Sequence, residues 1–358
     1  MSQLSEQPIQ TFSIGFEEQS YNELNHAQTI ANHFGTQHHP LVVRPNICDL
    51  FEQVVSHFDE PFGDSSAIPT YLVSQLARSH VTVALSGTGA DELFAGYERY
   101  WNIPLSRTYT HIPKFGRRIF ENLLGRLPTG HSKKSLIHRA QSFTRAQSDH
   151  LLTRHQNIIS LFSQQAREKL LQSHMYHPQL IDDPLSQKFA QSDASNDLDR
   201  LLDVDTSTLL SDDYLVKDDR MSMAASLELR VPFLDHTLVE FAAKVPSHLK
   251  LRNLTTKYIL KKAAGNLLPK NILKRPKHGF EMPIARWLNN DLHDMVHDLL
   301  LSPQAQTKNI LNQPIVADLV KTHKSGRENL SREIWSLLSL ELWLRTQQKN
   351  AMTSVASS

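Results

Sequence analysis

The chain has 358 residues, of which 40% are hydrophobic and 21% charged, the composition of an ordinary globular protein. Its 38 basic and 37 acidic residues give a net charge of +1, which provides no overall field to attract nucleic acid or a membrane surface. The single cysteine excludes a disulfide framework, and no run of about 18 apolar residues predicts a membrane span. We therefore expect about two domains, a cytoplasmic location, and neither a nucleic-acid nor a membrane partner.

Strand and helix patterns alternate through the first hundred residues. Apolar and β-branched runs predict three strands, the last one buried on both faces: 11–16, 39–43 and 81–85. Amphipathic stripes predict the intervening helices: 24–35, 47–58 and from Pro69 onward. Because strands that alternate with helices form doubly wound sheets, we expect an α/β fold in which the three strands share one parallel sheet.

Helical patterns dominate after about residue 105. The clearest of them are Leu151–Leu171, Leu215–Leu227 and Ser331–Leu344. The stretch 114–145 is basic but contains few aromatic residues, which favours a solvated helix face over a nucleic-acid site. We predict an α/β part over 1–105, a mainly helical part over 106–345 and a tail over 346–358.

A glycine-rich turn follows the third predicted strand. Residues 85–97 read LSGTGADELFAGY, a pattern that predicts the end of a strand, a tight turn and the start of a helix. Ligands of parallel α/β sheets bind at the carboxyl ends of the strands, so the turn suits a phosphate group. A structural role fits equally well, because Gly87 and Gly89 tolerate unusual backbone conformations and acids stabilise the first turn of a helix. The turn alone leaves both interpretations open.

Three further stretches carry residues suited to chemistry. They are FDEPFGDSSAIPTYLVSQLA (58–77), YLVKDDRMSMAASLELRVPFLDH (214–236) and KRPKHGFEMPIARW (274–287). The first is rich in acids and hydroxyls ahead of a helix, and Pro232 ends the charged helix of the second. The third places lysines on a loop, where a mobile point charge suits phosphate or pyrophosphate. A solvated basic turn explains this loop equally well.

Together these stretches resemble one protein family. With LSGTGADELFAGYERYW and LLSLELWLR, they are similar in order and content to the synthetase domain of glutamine-hydrolysing asparagine synthetases, from about Thr11 to Leu344. The resemblance implies a Rossmann-like sheet of the ATP-pyrophosphatase type. It also implies ATP and Mg²⁺ as cofactors, activation of aspartate as β-aspartyl-AMP, and amidation by ammonia derived from glutamine.

The resemblance assigns roles to individual positions. Ser86 and Gly87 match the nucleotide-binding pair at the strand end, and Ile14 matches the strand residue whose backbone contacts adenine. Asp91 matches an aspartate that holds Mg²⁺ on the pyrophosphate, and Lys277 matches the lysine that neutralises the transferring phosphates. Adenylation separates pyrophosphate from an acyl-AMP, so a metal, a cation and backbone donors are what its transition state requires.

One catalytic position departs from the family. Many asparagine synthetases carry a glutamate where this chain has Thr88. A threonine neither acts as a carboxylate base nor stabilises an incoming ammonium-like nitrogen. The substitution leaves open both the amidation step and the identity of the substrate.

A second departure concerns the phosphate loop. In the family a Ser-Gly-Gly-x-Asp-Ser loop precedes the strand that matches 11–16, whereas only MSQLSEQPIQ precedes it here. We expect the first strand, this loop, its helix and the glutaminase domain to be missing, with an open apolar edge near Phe12, Ile14 and Val83. The expected partner is therefore an N-terminal glutaminase and phosphate-loop piece. A homodimer is a second candidate assembly.

Two alternatives to asparagine synthesis stay open. A related ATP-dependent amidotransferase or cyclase would keep adenylation and change the acceptor, as in β-lactam synthetases, and Thr88 favours it. A non-catalytic fragment or subunit is favoured by the expected absence of the phosphate loop. The VPFLD and GFEMPI motifs favour asparagine synthesis.

Overall fold

A computed structural model of the chain describes residues 1–18, 21–43, 46–125, 140–141, 143–144, 146–177, 183–275, 277, 279–280 and 282–356. The chain forms two compact units. The first comprises Met1–His57, Asp64–Tyr100 and Ser192–Pro283, and the second comprises Phe58–Gly63, Trp101–Gln191 and Ile284–Ser358. Much of the predicted basic face, over 126–139, lies outside the described residues. The division predicted at residues 105 and 345 stays a prediction.

The described chain is α/β and mostly helical. Its strands are β1 (Gln10–Gly15), β2 (Gln37–Val42), β3 (Val83–Leu85) and β4 (Glu228–Arg230). Its helices are α1 (Leu24–Phe34), α2 (Ile47–Val55), α3 (Ala67–Arg78), α4 (Ala90–Leu93), α5 (Asn102–Thr110), α6 (Lys114–Gly125), α7 (Leu151–Ile159), α8 (Gln164–Leu170), α9 (Pro184–Gln191), α10 (Asp197–Asp205), α11 (Leu215–Ala224), α12 (His236–Lys244), α13 (Ser247–Lys250), α14 (Tyr258–Ala263), α15 (Lys270–Leu273), α16 (Ile284–Asn289), α17 (His293–Val296), α18 (Gln313–Lys324) and α19 (Ser331–Ala356). None of the described helices is long and apolar enough to cross a membrane.

The strands form two small parallel sheets instead of the single sheet predicted. β1 pairs with β2, from Gln10 opposite Gln37 to Gly15 opposite Val42. β3 pairs with β4, and the Ser86 amide extends this ladder to the Arg230 carbonyl at 2.8 Å. The strand β4 (ELR) has a charged residue at each end and no apolar run, so the sequence does not identify it as a strand. The pairing of β3 with β4 was therefore not predicted.

The third predicted strand is less buried than its apolar sequence indicates. Val83 and Leu85 keep 39% and 50% of their surface exposed, so β3 is not covered on both faces. Ile14 of β1 is buried and Phe12 is partly buried. The predicted exposed edge therefore holds for Val83 and not for Ile14.

Local signals in the sequence explain several element ends. α1 ends where Gly35 takes the left-handed conformation, with φ 63°, and donates its amide to the Ala31 carbonyl. Asn196 caps α10 by accepting a hydrogen bond from the Asp199 amide at 3.0 Å. These ends agree with what the residues favour locally.

In the first unit, the helices α3 and α11 pack beside the strands. α3 packs against both β1 and α11, and its Ile68 is fully buried, as is Met221 of α11. A π-helical segment, Thr206–Tyr214, joins α10 to α11. The core of the second unit includes Trp335 and Leu338 of α19. Burying such large apolar side chains contributes about 1.5–3 kcal/mol each.

Candidate active site

The glycine-rich turn joins β3 to α4 as the sequence predicts. Gly89 takes a positive φ of 92°, and a Cβ on it would lie 2.4 Å from a methyl carbon of Leu234, so any other residue would strain the backbone and displace that side chain. Gly87 differs, because no described atom lies within 4 Å of the position that its Cβ would take. The turn is therefore tightly packed at Gly89 and open at Gly87, where a ligand can approach the backbone.

Asp91 and two lysines form an ion cluster directly behind this turn. Lys277 Nζ lies 2.8 Å from Asp91 Oδ2, and Lys257 Nζ lies 2.9 Å from Asp91 Oδ1. A Cβ at Gly96 would lie 1.7 Å from Asp91 Oδ1, so the carboxylate occupies space that only a glycine leaves free. We call Asp91, Lys257 and Lys277 the Asp91 cluster.

The Asp91 cluster is positively charged overall. Burial would raise the pKa of the Asp91 carboxyl, but the ammonium groups of Lys277 and Lys257 outweigh this effect and hold the pKa below its ordinary value. Burial, together with Lys257, lowers the pKa of the nearby Lys261. One carboxylate among these cations leaves an excess of positive charge, which suits a polyanionic ligand.

A buried aromatic and ionic network supports Lys277. Its Nζ lies 5.5 Å from the centre of the Tyr97 ring, and the Arg99 guanidinium lies 4.0 Å from the same centre. The Tyr97 hydroxyl donates a hydrogen bond of 2.5 Å to Glu92 Oε1, and burial raises the pKa of the Glu92 carboxyl. Arg99 also pairs with the fully buried Asp205 at 2.9 Å. These contacts fix the Tyr97 ring against which Lys277 rests.

A second polar cluster surrounds Thr88. The Thr88 hydroxyl donates a hydrogen bond of 2.6 Å to Asp218 Oδ2 of α11, and it lies 2.9 Å from Ser86 Oγ. Lys217, the residue before Asp218, donates to Ser66 Oγ at 3.0 Å and lies 3.6 Å from Asp64 Oδ2. We call these six side chains the Thr88 cluster: Asp64, Ser66, Ser86, Thr88, Lys217 and Asp218.

The Thr88 cluster keeps its buried lysine charged. Burial would lower the pKa of Lys217, but the carboxylates of Asp64 and Asp218 outweigh this effect and raise it. The Asp64 carboxylate is held in turn by the amide and the hydroxyl of Ser66, at 2.9 and 2.6 Å. The cluster thus brings charges of both signs to the carboxyl end of β3.

Ile14 lies at a cavity beside β1. The cavity has a volume of about 290 Å³ and is lined by Phe12, Ile14, Ile30, Arg275 and Phe280 among others. Arg275 forms an ion pair with Glu23 at its wall. Its described lining includes neither Ser86 nor Gly87.

The chain is similar in sequence to a known protein family over most of its length. Residues 1–345 match the asparagine synthase family. The chain belongs to the asparagine synthase family. The family predicted from the sequence motifs is therefore confirmed.

Named relatives agree with this membership. The asparagine synthetase [glutamine-hydrolyzing] 1 of Bacillus subtilis is 36% identical over 338 residues, which cover 94% of this chain and 52% of that protein. A putative asparagine synthetase of Mycobacterium bovis is 35% identical over 93% of this chain and 50% of its own length. Another, from Methanocaldococcus jannaschii, is 32% identical over 63% of this chain and 42% of its own length. The chain spans about half the length of the first two relatives.

The structure groups the predicted site residues of this family member in three places. It brings Lys277 to Asp91, it brings Ser86 to Thr88, and it puts Ile14 at the cavity. Five partners in the two clusters were not predicted from the sequence: Asp64, Ser66, Lys217, Asp218 and Lys257. The stretches FGDSSA and YLVKDDR pointed to four of them, whereas the segment around Lys257 carries no such signal.

The described residues test whether a metal fits. No group of three His, Cys, Asp or Glu side chains converges among them, so they contain no complete cage made by the protein. Mg²⁺ in nucleotide enzymes is usually held by one or two carboxylates together with substrate phosphates. The single carboxylate of Asp91 fits that pattern once phosphates draw its two lysines away, because both of its oxygens now lie within 2.9 Å of a lysine nitrogen.

Proposed function

We propose that this chain forms the synthetase part of an enzyme that amidates aspartate with ATP and ammonia through β-aspartyl-AMP. The observation that carries the proposal is the Asp91 cluster, next to a turn that is open at Gly87. Membership of the asparagine synthase family supports ATP-dependent ligase activity at this site. A cytoplasmic location and a homodimer stay predictions from the sequence.

Lys277 and Lys257 would bind the triphosphate. Both ammonium groups now contact Asp91, and a polyphosphate offers them more negative charge than one carboxylate does. As pyrophosphate leaves, negative charge builds on its oxygens, and a lysine already placed beside them stabilises the transition state. Arg99 and Glu92 hold the Tyr97 ring that supports Lys277 and so reduce the reorganisation required.

Asp91 would hold Mg²⁺ together with phosphate oxygens. Bound there, the metal would act as a Lewis acid that neutralises charge on the phosphates. The carboxylate is ionised at neutral pH, as a metal ligand must be, because the pKa of Asp91 lies below an ordinary value that is itself only 3.8. The absence of a side chain at Gly96 leaves the space that this carboxylate occupies.

The cavity beside β1 suits the adenine base. Its volume of about 290 Å³ is close to the lower end of ligand sites, and the rings of Phe12 and Phe280 offer apolar surface to a planar base. Ile14 lines it, in agreement with the role that the family resemblance implies for this position. Backbone groups of β1 would then supply the hydrogen bonds that distinguish adenine.

A further segment would complete the phosphate site. β1 pairs only with β2 among the described strands, and β3 only with β4, so each retains an edge without a described strand. Val83 and Leu85 expose apolar surface on β3. We propose that a segment with the Ser-Gly-Gly-x-Asp-Ser loop, together with a glutaminase that provides ammonia, acts with this chain.

A different acceptor is the second candidate function. Thr88 stands where many family members carry a glutamate, and this substitution favours an enzyme that adenylates another carboxylic acid. The Asp91 cluster would serve either enzyme, because it acts on the phosphates and not on the acceptor. The acceptor has to be determined by experiment.

The test is exchange of labelled pyrophosphate into ATP, with and without a supplied loop segment. We expect exchange that requires aspartate and Mg²⁺ and that increases when the segment is present. Glutamate and β-amino acids are the comparison substrates. Exchange that requires one of these instead of aspartate would establish the second candidate, and no exchange with any acid would refute adenylation.

A further inference from the structure

A carboxylate outside the predicted site lies against the Ser86–Thr88 turn. Asp218 Oδ2 accepts the Thr88 hydroxyl at 2.6 Å, and its Oδ1 lies 3.8 Å from Lys217 Nζ. The Asp218 side chain is 12% exposed, so the carboxylate is largely buried. It comes from α11, whereas the turn belongs to the β3–α4 connection.

The other acidic side chains around this turn are already engaged. Both oxygens of Asp91 contact lysines, and its lowered pKa makes it a weak base. Glu92 is buried and accepts the Tyr97 hydroxyl. Asp64 accepts two hydrogen bonds from Ser66. Asp218 meets the turn through one hydrogen bond, from the Thr88 hydroxyl, and its second oxygen lies 3.8 Å from the Lys217 nitrogen, the longest of these charge contacts.

We propose that Asp218 accepts the proton which the attacking nitrogen must lose during amidation. This inference rests on the proposed function, since it needs an acyl-adenylate and ammonia as reactants. Thr88 is then a positioning residue: its hydroxyl orients the carboxylate and takes up no proton itself. Thr88 and Asp218 together supply a carboxylate at a turn where the threonine alone supplies none.

The step balances without any further reactant. The lone pair of ammonia forms a C–N bond to the acyl carbon, and the carbonyl electrons move to its oxygen. The nitrogen, now positively charged, passes one proton to a carboxylate oxygen of Asp218. The carbonyl then re-forms, the bond between carbon and the AMP oxygen breaks, and Asp218 releases its proton to water. A positioned general base of this kind contributes about 10² to 10⁴-fold.

The test separates the two half-reactions in Asp218→Asn, using whichever preparation of the wild type forms asparagine. We expect asparagine formation to fall by about 10² to 10⁴-fold. Aspartate-dependent pyrophosphate exchange should keep most of its rate, because adenylation precedes the proton transfer. An equal loss of both activities, or no loss of either, would overturn the role of Asp218.

Two further variants sharpen the result. Asp219→Asn removes the neighbouring, exposed carboxylate and should change neither half-reaction. In Asp218→Asn combined with Thr88→Asp, the carboxylate moves onto the turn, and we expect part of the amidation rate to return. If the double variant regains no amidation and Asp218→Asn also loses pyrophosphate exchange, the role of Asp218 is structural. Failure of the wild type to catalyse aspartate-dependent exchange would refute the proposed function and, with it, this inference.

Discussion

Lys277 tests the phosphate site at the scale of one residue. It contacts Asp91 at 2.8 Å, whereas Lys274, three residues earlier and exposed like Lys277, lies outside the Asp91 cluster. We expect Lys277→Ala to reduce pyrophosphate exchange by about 10²-fold or more, mainly in turnover, because the ammonium acts on charge that develops in the transition state. Lys274→Ala is the control. Equal rates for the two variants would show that Lys277 is only a solvated lysine.

Gly96 tests whether the position of Asp91 matters. The Cβ in Gly96→Ala would lie 1.7 Å from Asp91 Oδ1, so either the carboxylate or the turn must move. We expect a loss of about 1–3 kcal/mol in the free energy of unfolding, measured by denaturant titration, together with weaker exchange. Gly265→Ala is the matched control, because no described atom lies within 4 Å of its added methyl group. Unchanged stability in Gly96→Ala would contradict the contact.

The ion pairs of Asp91 predict a dependence of stability on pH. The folded pKa of Asp91 lies below its ordinary value of 3.8, so the ionised carboxylate stabilises the folded chain. This contribution is fully present above the unfolded pKa and is lost as the pH falls through the folded pKa. The difference in unfolding free energy between wild type and Asp91→Asn should stay constant from pH 7 to about 5 and shrink below about 4. A difference that grows on acidification would exclude these ion pairs.

Some site residues could be predicted from the sequence and others could not. Asp91 and Lys277 lie in motifs with glycine or proline nearby, which mark loops and turns where ligands bind. Lys257 lies in a stretch without such signals, and it reaches Asp91 from a left-handed conformation, φ 51°, at the start of α14. Only tertiary folding brings this lysine to the carboxylate.

Among the secondary-structure elements, the positions of the strands were easier to predict than the strands with which they pair. β1 and β2 form near the predicted residues and in the predicted parallel sense. β3 pairs instead with β4, a three-residue strand whose glutamate and arginine show no apolar run. The pairing of a strand depends on which distant segment of the chain packs against its edge. The residue pattern within the strand itself does not identify that segment.

The open strand edges predict where a loop-bearing segment would bind. Alternate amides of a strand point to opposite edges, so part of the β1 and β3 amides lack a described strand partner. If the segment adds a strand, hydrogen exchange at 10–15 and 83–85 should slow when it is present. β2 and β4 are internal controls and should change less. Equal protection in all four strands, or in none, would contradict edge pairing.

In the molecule as a whole, the site is formed by segments that are far apart in the sequence and belong to the same compact unit. Ser192–Pro283 belongs to the same unit as Met1–His57, and it supplies both Lys277 and Asp218. A change from strand to helix patterns along the sequence shows where helices dominate. It cannot show which later segment folds back, because that choice depends on packing between distant residues.

The central claim is that a carboxylic acid is activated as an acyl-adenylate before it is amidated. The most direct measurement uses aspartate labelled with ¹⁸O in its side-chain carboxylate, ATP, Mg²⁺ and ammonia, with AMP analysed by mass spectrometry. The carboxylate oxygen attacks the α-phosphorus and remains there when the nitrogen displaces AMP. We predict one ¹⁸O atom in each AMP formed alongside asparagine. AMP without label, or label found in inorganic phosphate together with ADP, would contradict the account.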